Sequence, residues 1–253
     1  MLFRSWMNRS IVLLTLLGAG TSHAQFIHQG TIVYEVRTNL KKTLGNSTWA
    51  ESMKDKLPAF KSSFFKLSFN GNHTQYVFDH FDDKENISPF LRQNDEKSAW
   101  EHDFEKSTYL SNKELFGSLF SIRDSIPKIK WKLSNENRII SGYNCRKATG
   151  IIMDSVYVFA FYSDEITTPG GPATIHGLPG MILGVTIPRL YTSFMAIEIN
   201  SSEKEPTFLK LEESPKTYNR KTVIDAVKKN TSDWGADGDS KSFMDQIYWN
   251  LLL

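Results

Sequence analysis

Short runs in which apolar and polar residues alternate one for one recur along most of this chain, and a period of two marks strands with one buried face. Thr31–Arg37 puts Ile32, Tyr34 and Val36 on one face and Thr31, Glu35 and Arg37 on the other. Phe65, Leu67 and Phe69 alternate with Lys66 and Ser68; after Asn70-Gly71-Asn72 the alternation resumes over Gln75–His80 with Tyr76 and Phe78. Asn-Gly between two such runs predicts a hairpin. Ile129, Trp131 and Leu133 alternate with Lys130 and Lys132, and further runs cover Arg138–Thr149, Ser155–Ser163, Met181–Ile187 and Leu190–Asn200. The 17 Phe, 9 Tyr and 6 Trp supply the core that such faces need. The spacing predicts a meander of antiparallel strands.

Helical periodicity is confined mainly to the C-terminal region. Val223, Ile224 and Val227 form one stripe and Phe243, Ile247, Tyr248 and Leu251 another, with the polar stretch Ser232–Ser240 between them as a loop. A weaker helix is expected at Thr48–Lys56, stopping before Pro58 because the residue before a proline is pushed out of helical geometry. The chain shows no repeat and no interdomain linker. The expected fold is therefore mainly β with minor α: one curved antiparallel sheet or open barrel, carrying C-terminal helices, as a single domain over residues 25–253.

The first 24 residues read differently. Arg4 and Arg9 precede an apolar run over Ile11–Gly20, and Ser22-His23-Ala24 places small residues at the outer positions of a cleavage site. This is the pattern of a secretory signal peptide removed after Ala24. The run is about half of the roughly 20 apolar residues a membrane-spanning helix needs, so no transmembrane segment is expected after cleavage. Arg4 and Arg9 are the only ionised side chains in the leader, so removing it takes 30 Lys and Arg to 28, equal to the 28 Asp and Glu. A formally neutral chain without a long basic run argues against nucleic acid as a partner. One cysteine, Cys145, allows no internal disulfide, and the fold must rest on its core.

The most distinctive segment is Gly142–Pro188. It contains Gly142-Tyr143-Asn144-Cys145-Arg146-Lys147-Ala148, then Phe161-Tyr162-Ser163-Asp164-Glu165-Ile166, then Gly171-Pro172, then Gly177-Leu178-Pro179-Gly180-Met181-Ile182. These four elements in order resemble the signature of the GLPGLI family, small exported proteins of the Bacteroidetes, and Gly30-Thr31-Ile32-Val33-Tyr34-Glu35 resembles that family's opening. The sequence departs from the pattern at Phe161, where the family has Trp, at Met181, where it has Leu, and at Thr168-Pro169-Gly170, which lengthens the loop. The first two replacements conserve apolar bulk. The resemblance implies a location in the periplasm or at the cell surface, beside nutrient-uptake systems, and implies no biochemical activity. It marks Tyr143, Cys145, Lys147, Tyr162, Glu165, Gly171 and Pro172 as motif positions, with Gly177, Leu178, Pro179 and Gly180 as the central turn.

Physically, glycines at 177 and 180 permit positive φ and close backbone approach, and Pro179 drives Leu178 to an extended conformation. Such a turn either sets strand register, with Leu178 plugged into the core, or presents backbone N–H groups to a partner. Cys145 and His176 suggest a nucleophile and base, but no nucleophile turn surrounds Cys145, and on an alternating strand it would share a face with Ile139 and Tyr143 as an inert thiol. Asp79-His80-Phe81-Asp82-Asp83, with His73 and His102-Asp103, has metal-ligand residue types without a recognised spacing. Asp164 and Glu165, adjacent on a strand, would point to opposite faces. No phosphate loop or dinucleotide motif is present, and no cofactor or catalytic residue is expected. The expected function is a non-catalytic binding or accessory protein, its concave aromatic face holding an apolar small molecule or docking an outer-membrane protein. The alternative is an envelope hydrolase, peptidase-like, using Cys145 or a metal.

Overall fold

The computed structural model describes residues 26–43, 51–52, 55, 57–82, 89–115, 117–202, 205–212, 214–231 and 238–253. The leader expected over residues 1–24 lies outside them, as do Asp83 and all of the helix expected at Thr48–Lys56 except Glu51, Ser52 and Asp55, of which Glu51 and Ser52 are helical.

The protein is mainly β, built on one large open sheet of twelve strands with short C-terminal helices. The strands are β1 (Gln29–Asn39), β2 (Phe60–Asn70), β3 (His73–Phe81), β4 (Ala99–Asp103), β5 (Thr108–Leu115), β6 (Ser118–Ser125), β7 (Lys130–Ile140), β8 (Tyr143–Ile152), β9 (Val156–Ser163), β10 (Met181–Ile187), β11 (Thr192–Asn200) and β12 (Thr217–Tyr218). Their spatial order is β12-β6-β5-β4-β3-β2-β1-β11-β10-β9-β8-β7, antiparallel throughout except for β12 beside β6. Two meanders, β1 to β6 and β7 to β11, are thus joined edge to edge where β11 returns to β1. The predicted Asn70–Asn72 hairpin is present, with Asn70 paired to His73 and Gly71 at φ 56°.

β7 lies at one end of this order and β6 next to the other, inside the two-residue β12, yet only residues 126–129 connect them. So short a link spans less than about 18 Å, so the sheet must be rolled until its edges converge at that end. The roll encloses a core of Ile32, Tyr34, Phe65, Leu67, Phe69, Tyr76, Trp100, Ile182 and their neighbours. Each such side chain contributes about 1.5–3 kcal/mol on burial.

The helices are α1 (Leu40–Thr43), α2 (Pro89–Glu96), α3 (Arg220–Asn230) and α4 (Gly238–Leu252). α3 and α4 are the two C-terminal helices the sequence predicts, although α4 begins inside the stretch expected to be loop. Asn219 caps α3 reciprocally with Thr222, accepting from its N–H at 2.8 Å and donating to its hydroxyl at 2.9 Å. Val223, Val227, Ile247 and Leu251 pack on Tyr109, Phe120 and Ile122, covering β5 and β6.

Three features depart from the sequence reading. Strands β4, β5 and β6 and helix α2 were not expected. The run Arg138–Thr149 is two strands, divided by a two-residue turn in which Ser141 (φ 48°) and Gly142 (φ 87°) both take positive φ. That turn sets Ile139 opposite Asn144 and leaves Ile139 exposed while Cys145 is buried, so the two do not share a face. Asp164 and Glu165 lie in a turn after β9 rather than on a strand.

Candidate functional site

The motif residues converge on a single structure. Between β9 and β10 the chain leaves the sheet, and residues 166–180 fill the inside of the roll. Except for Thr167, Pro169, Gly177 and Pro179, all are buried. Irregular chain is seldom buried, because its backbone polar groups need partners. Here they have them: Met181 N donates to Ile166 O, Ile182 N to Gly170 O, Gly177 N to Pro169 O and Thr174 N to Leu253 O, at 2.9–3.0 Å. We call this segment the plug.

The GLPG turn is the end of the plug. Leu178 is buried against the core while Pro179 is exposed between Leu178 O and Gly180 N, which close a three-residue turn at 2.8 Å. Gly177 has φ 87°, and Gly180 has φ 137° with Ser163 O 2.1 Å from where a Cβ would stand. Only glycine fits position 180. Gly171 and Pro172 are buried in the first bend, with Pro172 O accepting from Ile175 N. Glu165 accepts from Asn144 N at the start of β8, and Lys147 pairs with Glu136 on β7 at 2.6 Å. Tyr162 is buried on β9, and half-buried Tyr143 packs on the same core as Cys145. The motif therefore assembles the turn, the plug and the strands that hold it.

His176 is part of that assembly. Its ring nitrogens lie 2.7 Å from Thr174 O and 2.9 Å from Pro127 O, and its own carbonyl accepts from the Trp131 indole at 3.0 Å. Burial is the largest influence on the imidazole and pushes its pKa down, with the two carbonyls pulling the other way. Beside it, at 5.7 Å between ring centres, His102 stacks on Phe104 and Tyr109, and burial drives its pKa down to about 3. Cys145 is fully buried, its thiol pushed up to about 11 chiefly by burial, and its sulfur lies 3.5 Å from Tyr143 O. A thiol in that state is a poor nucleophile, and both ring nitrogens of His176 are engaged by backbone.

The histidines and carboxylates of the acidic hairpin disperse in the fold. His80 pairs with its neighbour Asp79 at 2.7 Å, His73 with Glu101 at 3.3 Å, and His102 turns into the core. Among the described residues no group of three or more His, Cys, Asp or Glu could hold a metal ion.

An open cleft lies elsewhere, on the outer face of the sheet. After β11 the chain runs back across β3 to β6 as an irregular strap that reaches β12. Gln75 on β3 donates to Leu209 O and accepts from Leu209 N, each at 2.7 Å. Asn112 on β5 donates to Glu212 O, and Ser121 on β6 accepts from Ser214 N. Phe208 lies against His73. Under the strap is a cavity of about 410 Å³, lined by Glu101, Asp103, Thr108, Leu110 and Arg123 on one side and Phe208–Leu211 on the other. The register brings its floor together, pairing Asp103 with Thr108 and placing Glu101, Leu110 and Arg123 side by side. Hydrogen bonding from His73 holds the Glu101 carboxyl below its ordinary value against the opposing effect of burial. Hydrogen bonding from Lys106 does the same for Asp103. The cleft presents fixed negative charge, two cations in Arg123 and Lys210, a hydroxyl and an apolar wall. The sequence reading placed Asp103 only in a metal set and named none of the others.

No family model and no curated protein matches this chain. It is similar in structure to PNGF-II, solved in C2 and P21 crystal forms, at a TM-score of 0.48 and 14% identity in each case. The alignments cover 79% and 80% of this chain and 33% of PNGF-II, so the chain spans about a third of that protein's length.

Proposed function

We propose that this is a non-catalytic binding protein of the cell envelope, of the GLPGLI kind, exported by the leader at residues 1–24. It holds a small ligand of mixed polarity in the cleft beneath the strap and serves as an accessory to uptake across the envelope. The observation that carries this reading is the cleft itself. Its carboxylates are stabilised in their charged form, which suits them to accept hydrogen bonds rather than to exchange protons, whereas a general acid would need its pKa raised. The buried thiol and the two buried imidazoles belong to the core and the plug. An apolar ligand on the concave face would have to displace the plug, since residues 166–180 and Leu253 already occupy that space. The ligand is therefore assigned to the outer cleft, where Leu110 and Phe208 meet an apolar part and Arg123, Lys210, Glu101 and Asp103 meet charged or amide groups.

The test is native mass spectrometry of the mature protein from its own envelope, before and after mild organic extraction. A mass increment that is lost on extraction, and absent from Arg123→Ala, supports the reading. An increment that survives Arg123→Ala, or hydrolysis of a peptide library by the purified protein, would overturn it.

A further inference from the structure

The outer face of β7, β8 and β9, on strands the strap does not cross, carries a pattern the cleft does not explain. β9 turns Tyr157, Phe159 and Phe161 outward in alternation with the buried Val158 and Ala160. Register then builds rows across the strands. Tyr157 lies beside Ile151 and Lys130, Phe159 beside Thr149 and Lys132, and Phe161 beside Lys147. The result is a column of aromatic rings on β9 and, about 10 Å away on β7, the cations Lys130 and Lys132, with Lys147 of β8 supplying the third rung and the rungs repeating every 7 Å or so. Tyr157 is 57% exposed and Ile151 45%.

The charge is one-sided. Residues 130–152 include Lys130, Lys132, Arg138, Arg146 and Lys147 against a single carboxylate, Glu136, in a chain whose charges balance only as a whole. Two of these cations lie over the rings: Arg138 is 5.0 Å from the centre of Phe161 and Lys147 is 5.8 Å from that of Phe159. Such contacts hold the charges flat against the sheet. The geometry is a linear, rigid track, cationic along one side and ringed along the other.

We propose that this track binds a linear anionic polysaccharide lying along the strands. Repeating carboxylate or sulfate groups meet the cation column, and sugar C–H faces meet Tyr157, Ile151 and the ring edges. A lipid surface would call for a projecting apolar patch; here the exposed pair Tyr157 and Ile151 runs into Lys130 in the same row, and Ile139, exposed beside the β7–β8 turn, stands singly opposite the polar Asn144. Stacked nucleic-acid bases need open ring faces, and those of Phe159 and Phe161 are covered by cations.

The test measures binding of the full chain to polygalacturonate, alginate and heparin, with dextran, phosphatidylglycerol vesicles and an oligothymidylate as comparisons. Binding to at least one acidic polysaccharide, absent with dextran and weakening as salt rises, is expected. The doubly substituted Lys130→Glu/Lys132→Glu protein should lose about tenfold or more in affinity, and Tyr157→Ala should weaken binding without changing its salt dependence. All three positions are exposed, and an unchanged melting temperature confirms that the variants are folded. Arg123→Ala, in the cleft, should bind as the parent does. Failure to bind any of the three polymers at low salt, binding indifferent to the charge reversal, or binding confined to vesicles or oligonucleotide overturns the proposal.

Discussion

The plug and the strap are both irregular segments laid against the same sheet, and they are held in opposite ways. The plug lies inside the roll and satisfies its backbone mainly with backbone, from strand β10, its own bends and Leu253, while the Trp131 indole and the His176 ring reach two of its carbonyls. The strap lies outside and is held by side chains of the sheet, with Gln75, Asn112 and Ser121 each reaching a main-chain group. Inside, where no water can substitute, partners must be complete and the glycine positions follow from close approach. Outside, a few amide and hydroxyl contacts fix the segment at intervals, and the spaces between them remain open. A binding cleft can form under the second kind of segment and not under the first.

The largest effect should come from breaking the plug at its tightest point. Gly180→Ala sets a Cβ 2.1 Å from Ser163 O at φ 137°, so the turn must move or the core must open. A loss of more than about 3 kcal/mol is expected, read as a collapse of the denaturation midpoint. Leu178→Ala empties a core position without touching the backbone, and about 2–5 kcal/mol should be lost. If both variants melt within a few degrees of the parent, the plug is a passive insertion and the contrast drawn here fails.

The sequence revealed the plug more readily than the strap. Gly177-Leu178-Pro179-Gly180 carries a turn signal in its residue types, β1, β2 and β3 announce themselves by apolar residues at every second position, and β9 by a short run of aromatic and β-branched residues. β4 and β5 do not, because their inward positions include His102, Ser111 and Lys113, polar residues that hide the period. The turn at Ser141-Gly142 was missed because Ser is a weak signal for positive φ. Glu101, Leu110 and Arg123 become neighbours only through strand register, which a linear reading does not supply. The amides that hold the strap have no periodicity of their own.

Acid should distinguish the two segments next. In the unfolded chain His102 takes up a proton near pH 6.5, whereas in the fold it resists until about 3. The unfolded state therefore binds more protons throughout that window. The stability is complete above pH 6.5 and is lost as the pH falls, by about 1.4 kcal/mol per pH unit for each such histidine. His176, also depressed by burial, acts in the same direction. Melting temperatures measured from pH 7 to 4 should fall steeply. His102→Phe, which keeps a ring between Phe104 and Tyr109, should flatten the slope by roughly one histidine's share. An unchanged slope would mean that these buried rings do not govern the acid response of the plug.

The smallest effect on stability, and the sharpest on the strap, should come from Gln75→Ala. Two of the three Gln75 side-chain hydrogen bonds go to Leu209 and the third, at 3.4 Å, goes to the Glu101 carboxylate; none of them supports the sheet ladder. Their loss should cost only about 1–2 kcal/mol, much less than a break in the plug. Local opening of residues 205–212 should nevertheless increase, because Gln75 ties both main-chain groups of Leu209, in the middle of this stretch, to the sheet. Limited proteolysis should then cut the strap several-fold faster than in the parent, at an almost unchanged melting temperature, while cleavage within 166–180 stays as slow as before. Ligand retention in the cleft should fall along with it, since Phe208–Leu211 form one wall. Equal cleavage rates at both segments would show that the strap is held by something other than these side chains, and the division between a sealed interior and an adjustable exterior would have to be redrawn.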